Sequence, residues 1–227
     1  MTVLSLAGAR ASYGGERALG PIDLSVAAGE RVALVGRSGA GKSTLLKLLH
    51  DPARRDIAIM PQELGLVDSL SVFHNVYMGR LNRHTVWYNL ANLVRPMKTE
   101  QAAVRAVLEP LGMAERIRSR AGELSGGQRQ RVAVGRCLYQ DADILLADEP
   151  VSALDGPRAN GVMQALTAAY GTAVLALHDI ELALRYSDRV VGLNDGHIVL
   201  DEPSDRLTEG DLAPLYAEPM EPGRATG

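Results

Sequence analysis

One eight-residue segment, GRSGAGKS at residues 36–43, constrains the fold of this chain more than any other. It fits the phosphate-binding pattern G-x-x-x-x-G-K-[ST]. An apolar run, RVALVG, leads into it and a helical pattern, KSTLLKLLH, follows. Glycines let backbone N–H groups converge on an anion, and the N-terminus of the next helix favours negative charge. The alternative is a glycine-rich turn that only joins a strand to a helix, and the flanking pattern favours the phosphate loop.

The residue types of this loop predict contacts with a nucleotide. Lys42 is long enough to reach the β- and γ-phosphates, and the Ser43 hydroxyl is suited to coordinating Mg²⁺. The expected nucleotide contacts in the loop are Gly36, Ser38, Gly39, Ala40, Gly41, Lys42, Ser43 and Thr44. Phosphate binding alone does not distinguish one class of nucleotide hydrolase from another.

Strand-like runs alternate with helical patterns along most of the chain. The runs at 31–36, 143–148, 172–178 and 189–193 are nearly all apolar, which is typical of parallel strands that are covered on both faces. The alternation predicts an α/β fold, namely a P-loop NTPase core with a mostly parallel sheet.

Three segments depart from this alternation within what we predict to be a single domain, 1–227. Residues 1–30 hold short strand-like pieces and predict a small antiparallel β-subdomain. Residues 63–120 lean helical and predict an α-helical subdomain inserted near residues 63–130. The stretch 203–227 is rich in Pro, Glu and Gly and predicts a peripheral tail.

Composition excludes several classes of protein. The 227 residues carry a net charge of -3, which argues against a general nucleic-acid binder, so we expect no nucleic-acid partner. The single cysteine, Cys137, excludes an intramolecular disulfide and a multi-cysteine metal site. No apolar run approaches the ~18 residues that a membrane-spanning helix needs. Any work at a membrane would then require a separate anchoring partner.

Two carboxylates follow the apolar run that precedes Pro150. Ligands of open α/β sheets sit at the carboxyl ends of strands, so Asp148 is placed to hold Mg²⁺ and Glu149 to polarise an attacking water as a general base. The alternative, a strand that ends in ordinary surface acids, loses weight because a phosphate loop lies upstream.

The segment LSGGQ at 124–128 leads into a second helical pattern. Its glycines and helix N-terminus again suit a phosphate. One nucleotide has no evident need for two phosphate-binding segments from the same chain. A site shared by two subunits would use the phosphate loop of one chain and the LSGGQ segment of the other. Ser125 is equally suited to capping the helix, and the two roles are compatible.

Together these motifs resemble the nucleotide-binding subunit of ATP-binding-cassette (ABC) transporters over roughly residues 1–200. GRSGAGKST resembles the Walker A loop, ILLADEP resembles Walker B, and LSGGQ matches the family signature letter for letter. Gln62 resembles the Q-loop glutamine and His178 the switch histidine. SALD at 152–155 resembles the D-loop, and Tyr13 lies where the family stacks an aromatic ring on adenine.

The resemblance implies a role for each matching residue. Taken singly, a glutamine is usually a surface residue, a histidine structural and a tyrosine part of the packing, so these roles depend on the order of the motifs. Asp155 is implied at a dimer interface, although it is also suited to capping the next helix. The implied catalytic residues are Glu149, His178 and Gln62. The implied Mg²⁺ ligands are Ser43, Gln62 and Asp148. The implied further nucleotide contacts are Tyr13, Ser125, Gly126, Gly127 and Gln128.

One feature departs from the family pattern. Only 20 positions separate Lys42 from Gln62, a stretch that is usually longer in the family. We therefore expect a smaller antiparallel β-subdomain, with weaker packing or looser nucleotide binding as consequences. No predicted phosphate, magnesium or catalytic residue is lost.

The segment 63–96 includes NVYMGRLNRHTVWYNLANLVRP and resembles the phosphonate-importer subgroup. Aromatic side chains are enriched at interfaces, so we predict Phe73, Tyr77 and Trp87 as anchors for a membrane subunit, with Arg80 and Arg83 at the rim. The alternative is that the aromatic residues form the core of the helical subdomain.

The resemblance implies an ATP-hydrolysing subunit of an import system for phosphonate or a related phosphorus oxyanion. ATP and Mg²⁺ would bind at the interface of a homodimer on the cytoplasmic face of the cell membrane. A membrane permease and a periplasmic or extracellular substrate-binding protein would complete the system. Two alternatives remain open: an ABC ATPase that does not transport, such as an accessory of phosphonate breakdown, and a catalytically dead binding module.

Overall fold

Strand β3, which leads into the phosphate loop, lies inside the main sheet of the computed structural model. The structure describes residues 1–13 and 16–216, without the side chains of residues 13, 16 and 17. In these residues the strands are β1 (Thr2–Tyr13), β2 (Glu16–Ala27), β3 (Arg31–Val35), β4 (Ile57–Met60), β5 (Ile144–Asp148), β6 (Thr172–Ala176), β7 (Arg189–Asn194) and β8 (His197–Pro203). The α-helices described are α1 (Lys42–Leu49), α2 (Val72–Tyr77), α3 (Val86–Val94), α4 (Lys98–Leu108), α5 (Gly126–Gln140), α6 (Gly156–Ala169), α7 (Ile180–Tyr186) and α8 (Glu209–Leu212).

The main sheet has the strand order β4-β5-β6-β3-β7-β8 in the described residues. All neighbouring pairs are parallel except β7 and β8. Ala176 of β6 pairs with Leu34 of β3 on one side and with Asp148 of β5 on the other. The carboxyl ends of these three strands therefore meet at one edge, and the predicted α/β fold with a mostly parallel sheet is confirmed.

Hydrophobic residues cover both faces of this sheet. Val32 and Leu34 pack into the cluster that includes α1 and the β1–β2 hairpin, whereas Ala33 and Val35 pack into the cluster formed with the other helices. All four are fully buried. Because successive side chains of a strand point to opposite faces, a strand buried on both sides reads as a continuous apolar run.

The β1–β2 hairpin is a separate two-stranded antiparallel sheet. Its strands are longer than the short pieces that the sequence suggested, with 12 residues each. Between Lys42 and Gln62 the structure adds α1 and β4, and β4 pairs with β5 in the main sheet. The short segment therefore adds no strand to the antiparallel sheet.

Helices α2, α3 and α4 and the first part of α5 occupy the region 63–130. Ser71, Thr85 and Ser125 each accept a hydrogen bond from the first turn of the helix that follows, which is why α2, α3 and α5 begin where they do. Helix α5 continues ten residues beyond the predicted boundary, to Gln140, because its apolar face packs on the main sheet. Among the described residues, no helix has both the length and the apolar character needed to cross a membrane.

The segment 203–227, predicted to be peripheral, is described as far as Tyr216. Leu212 is fully buried, and Leu215 packs against the larger hydrophobic cluster. The Tyr216 hydroxyl donates a hydrogen bond to the Leu177 carbonyl at 3.4 Å. Residues 204–216 thus pack on the sheet, whereas 217–227 lie outside the described residues.

Candidate functional site

The phosphate loop turns tightly between β3 and α1, and glycine is required at two of its turns. Gly36 has φ 134° and Gly41 has φ 105°. A Cβ atom at Gly36 would lie 2.2 Å from the Leu193 carbonyl oxygen, and one at Gly41 would lie 2.5 Å from a methyl group of Leu19. Both positions therefore exclude larger residues. The N-cap of α1 is Gly41, which has no side chain to offer the N–H groups of the first turn, and such N–H groups suit an anionic ligand.

Lys42 is 5% exposed, yet its ammonium group has partners within the loop. Nζ donates hydrogen bonds to the carbonyl oxygens of Gly36 at 2.6 Å and Arg37 at 2.9 Å. Burial lowers the pKa of Lys42 below its ordinary value, and the nearby carboxylates of Glu149 and Asp148 oppose this shift. The loop thus holds a cation beside its own backbone N–H groups, which suits an anionic ligand.

A cavity of about 160 Å³ opens over this loop. It brings together predicted nucleotide contacts, the Q-loop glutamine and the acidic strand end, which are far apart in the sequence. Its lining residues are Ala18, Ser38, Gly39, Gly41, Lys42, Ser43, Thr44, Gln62 and Glu149. Ala18 was not predictable from the sequence, because an alanine in a strand carries no chemical signal of a binding site.

Glu149 extends from the end of β5 toward this cavity and contacts His178. Its Oε1 lies 2.6 Å from Nε2 of His178, which follows β6. The Glu149 N–H donates to the Ala176 carbonyl at 3.0 Å, so the row of paired strands positions both side chains. Glu149 has φ 52°, a left-handed conformation that is uncommon for residues other than glycine. The structure thus joins two of the three predicted catalytic residues directly.

Asp148 is 6% exposed, and its Oδ1 atom is buried without a hydrogen-bond partner. A buried carboxylate oxygen normally has a partner, so this atom has an unused capacity to bind a cation. Ser43, Gln62 and Asp148 line one cavity of about 490 Å³. Their hydroxyl, amide and carboxylate oxygens are the ligand types that Mg²⁺ prefers. The residues present therefore fit the magnesium ion that the resemblance implies.

The signature segment does not reach this cavity within the same chain. Ser125 and Gly126 are exposed at the N-terminus of α5. Ser125 and Gln128 form a capping box in which the Gln128 N–H donates to Ser125 Oγ and the Ser125 N–H donates to Gln128 Oε1. A Cβ atom at Gly127 would lie 2.8 Å from the Ala153 carbonyl oxygen, so this position requires glycine. The segment is a capped helix start that faces outward.

For Tyr13 and Asp155, the predicted roles at the nucleotide and at the dimer interface are not tested by the structure. Tyr13 ends β1, but its side chain lies outside the described residues, so its stacking on adenine stays a prediction. Asp155 caps α6, because its Oδ1 accepts a hydrogen bond from the Arg158 N–H at 3.2 Å. Its capping role at the start of α6 is thereby confirmed, and its place at a dimer interface stays a prediction.

An apolar surface lies on the helical region, away from the phosphate loop. Trp87 is 81% exposed, so the alternative that it belongs to the core is wrong. Phe73 and Tyr77 are each 3% exposed, and the prediction of both as anchors is wrong. Phe73 packs into the larger hydrophobic cluster, and the Tyr77 ring packs beside Tyr139 of α5 while its hydroxyl donates to Asn89 of α3 at 2.8 Å. A groove of about 390 Å³ remains between α2 and α3. It is lined by Leu70, His74, Tyr77, Met78, Leu81, Val86, Asn89, Leu90 and Leu93.

The two arginines predicted at the rim of this surface pair within the chain. The guanidinium of Arg80 lies 3.4 Å from Asp141 and stacks over the Tyr139 ring at 4.5 Å. Arg83 donates to the Asp141 carbonyl at 2.6 Å. These contacts connect the segment before α3 to the end of α5.

Comparison with known proteins was consistent with these observations. The family profile described as ABC transporter matches residues 19–152, more than half of the chain. The chain belongs to the ABC transporter family. The matched region includes the phosphate loop, Gln62, the signature segment and both carboxylates, whereas Tyr13 and His178 lie outside it. Members of this family bind ATP, which agrees with the phosphate loop described above.

Three relatives are named as phosphonates import ATP-binding proteins PhnC. The one from Anaeromyxobacter dehalogenans is 42% identical and covers 94% of this chain, which spans about half (48%) of that relative's length. The one from Burkholderia pseudomallei is 40% identical over 90% of this chain and 76% of its own. PhnC 1 from Natronomonas pharaonis is 39% identical over 94% of this chain and 99% of its own.

A solved structure supports the same fold. An ATP-binding cassette in a dimeric, post-hydrolysis state with bound ADP and Pi has a TM-score of 0.73 and 29% identity to this chain. The match covers 89% of this chain and 99% of that one. The predicted P-loop NTPase architecture is therefore confirmed at the level of the whole cassette.

Proposed function

We propose that this chain is the ATP-hydrolysing subunit of an ABC import system. The observation that carries the proposal is the cavity in which Lys42 and the glycine-rich loop lie beside Glu149, whose carboxylate contacts His178. A phosphate cradle and a positioned carboxylate in one cavity suit the attack of water on a terminal phosphate. A catalytically dead binding module is disfavoured, because the chain keeps all four predicted functional side chains, Lys42, Asp148, Glu149 and His178.

The chemistry assigns one role to each side chain. Water attacks the γ-phosphorus in line with the bond to the bridging oxygen, and that bond breaks with its electron pair going to ADP. Glu149 accepts the proton of the water, and His178 holds its Oε1 so that the carboxylate keeps its orientation. Lys42 and the N–H groups of the loop neutralise charge on the phosphates. Gln62 lines the same cavity and would position the water or the γ-phosphate.

Magnesium would be held by Ser43, Gln62 and Asp148. When bound, the ion supplies charge neutralisation at the β- and γ-phosphate oxygens. The buried Oδ1 of Asp148, which lacks a partner, supports this assignment.

Two copies of the chain would form the complete sites. Each ATP would contact the phosphate loop of one chain and Ser125, Gly126, Gly127 and Gln128 of its partner. The outward-facing signature segment supports this arrangement, because Ser125 and Gly126 are exposed and do not line the cavity over the phosphate loop of their own chain. The dimeric cassette with bound ADP and Pi is a precedent for such an assembly.

The imported substrate would be phosphonate or a related phosphorus oxyanion. The names of the three relatives support this class. A permease would dock on the exposed apolar side chains of α3, which include Trp87, and on the adjoining groove between α2 and α3. The chain would then lie on the cytoplasmic face of the membrane, with a substrate-binding protein on the other side.

Substitution of Glu149 tests this proposal. Glu149→Gln keeps the size of the side chain but removes the base, so ATP hydrolysis should slow by roughly 10²–10⁴-fold while ATP binding is retained. Phosphate release and ATP affinity are measured together. Glu181→Gln, an exposed carboxylate at the start of α7, is the control and should match the wild type. Near-normal hydrolysis in Glu149→Gln would remove Glu149 from its role.

A further inference from the structure

Gln130 is a polar side chain that the fold buries almost completely. It lies in the second turn of α5 and is 3% exposed. Nε2 donates to the Glu149 carbonyl at 2.7 Å and to Ser152 Oγ at 3.2 Å, and Oε1 accepts from the Ala153 N–H at 2.8 Å. The amide thus uses both its donor and its acceptor on the loop that follows β5.

These bonds hold the residue that contacts His178. Glu149 has a left-handed backbone, which the surrounding structure must enforce because its side chain disfavours it. Its N–H donates to the Ala176 carbonyl. Its carbonyl accepts from Gln130 at 2.7 Å and, at the longer distances of 3.3 and 3.4 Å, from the hydroxyl and the N–H of Ser152. The shortest bond to this carbonyl therefore comes from α5, and Gln130 also bonds the Ser152 hydroxyl that shares the carbonyl. The close approach of Gly127 to the Ala153 carbonyl joins the same helix and loop at another point.

Helix α5 also carries the signature segment at its N-terminus. In the proposed dimer, Ser125 and Gly126 contact the nucleotide of the partner, while Glu149 acts on the nucleotide of its own chain. Gln130 lies five residues after Ser125 and bonds directly to Glu149. It is therefore a direct polar connection between a segment that serves one site and a base that serves the other.

We propose that Gln130 is a positioning residue, which orients Glu149 and the 152–153 loop from the signature helix. The inference rests on the proposed hydrolysis of ATP. Gln130 does not line the Lys42 cavity, so it acts through the backbone of Glu149 rather than on the nucleotide. Its loss displaces the base and leaves the phosphate contacts in place.

Gln130→Met is the first test, because methionine is of similar length and makes none of the three hydrogen bonds. The kcat for ATP hydrolysis should fall roughly 10- to 100-fold, since small misplacements of reacting groups have effects of this size. The KM for ATP and the ATP affinity should stay within about twofold, because the Lys42 loop is untouched.

Gln140→Met is the matched control. Gln140 lies at the other end of α5, and its side chain donates to the Ile57 carbonyl at 3.0 Å. It should keep the wild-type kcat. A purely structural role for Gln130 would lower the melting temperature and reduce kcat only in proportion to the folded protein, which nucleotide titration measures. A loss of kcat that only matches the loss of folded protein would overturn the proposal. An unchanged kcat in Gln130→Met would overturn it as well.

A second variant separates the donor from the acceptor. Gln130→Glu keeps an oxygen for the Ala153 N–H but presents no amide donor to the Glu149 carbonyl, so kcat should stay low. In a Glu149→Gln background, Gln130→Met should cause little further loss, because both changes act on one step. Wild-type activity in Gln130→Glu, or full additivity with Glu149→Gln, would contradict the inference. If Gln130→Met does not fold, the Gln130→Glu result decides.

These outcomes differ from failure of the proposed function. If the wild type and Gln140→Met hydrolyse no ATP, the enzymatic proposal fails. If both hydrolyse ATP at the same rate as Gln130→Met, only the role of Gln130 fails.

Discussion

Lysine ammonium groups are rarely buried without a partner, because burial of an unpaired charge is costly. Lys42 is buried, and its ammonium group has partners in the loop backbone. The carbonyl oxygens of Gly36 and Arg37 accept its hydrogen bonds, and their positions follow from the left-handed turn at Gly36. The loop backbone thus provides partners for the ammonium group. The residue types of the loop predicted a phosphate site, and the structure adds the two hydrogen bonds that hold Lys42 within the loop.

Lys42→Ala should weaken ATP binding roughly 10- to 100-fold, because hydrogen bonds to charged groups contribute about 1.5–3 kcal/mol each. ATP affinity is measured by titration. Lys98→Ala, at an exposed position at the start of α4, should bind ATP as the wild type does. Unchanged affinity in Lys42→Ala would count against the phosphate-loop assignment.

Among the elements, helix α3 differs from its neighbours in what it exposes. Val86, Trp87 and Val94 are 71%, 81% and 86% exposed, whereas the apolar side chains of α2 are buried against α5. The side chain of Thr85 caps α3, so its start is well defined. An ordered helix with an uncovered apolar face is typical of an interaction surface.

Trp87→Ala should weaken binding of the permease by ~2 kcal/mol or more, as truncation of an interface anchor does. Its melting temperature should change little, because the ring is exposed. Phe73→Ala is the contrasting variant: its ring is buried, so truncation should reduce the free energy of unfolding by ~3–5 kcal/mol.

Permease pull-down and thermal melting on both variants separate the two effects. A large drop in melting temperature for Trp87→Ala, or a pull-down equal to that of the wild type, would defeat the docking assignment.

At the scale of the whole molecule, the two segments that the sequence predicts to bind phosphate lie apart. The Lys42 loop lines a cavity at the carboxyl edge of the sheet, and Ser125 faces outward at the start of α5. A chain that needs both segments for one nucleotide requires a second copy. The separation of these two segments in one chain therefore supports the predicted dimer.

Mixed dimers test this arrangement. Lys42→Ala homodimers and Ser125→Arg homodimers should both hydrolyse ATP poorly. Mixing the two should restore part of the activity, because the heterodimer has one site with an intact phosphate loop facing an intact signature segment. ATPase activity is followed as the mixing ratio is varied, with each variant alone as the control. Full activity of the Ser125→Arg homodimer would be incompatible with a shared site.

Local features of this protein were predictable from the sequence because they depend on neighbouring residues. Apolar runs predicted the central strands, and the glycine pattern predicted the loop before α1. Ser125 was correctly predicted as a helix cap, since capping acts within one turn. The strand ends also predicted which edge of the sheet would hold Glu149 and His178, because carboxyl ends of parallel strands meet at one edge.

Only the tertiary structure decided which side chains are buried, because burial depends on residues that are distant in the sequence. Phe73 and Trp87 read alike as aromatic residues of one segment, yet one faces α5 and the other faces solvent. In the sequence, Gln130 is one polar residue of a helical pattern, and only the packing of α5 against the loop after β5 buries it. Ala18 belongs to a strand-like segment, and only the position of the β1–β2 hairpin brings it to the phosphate loop.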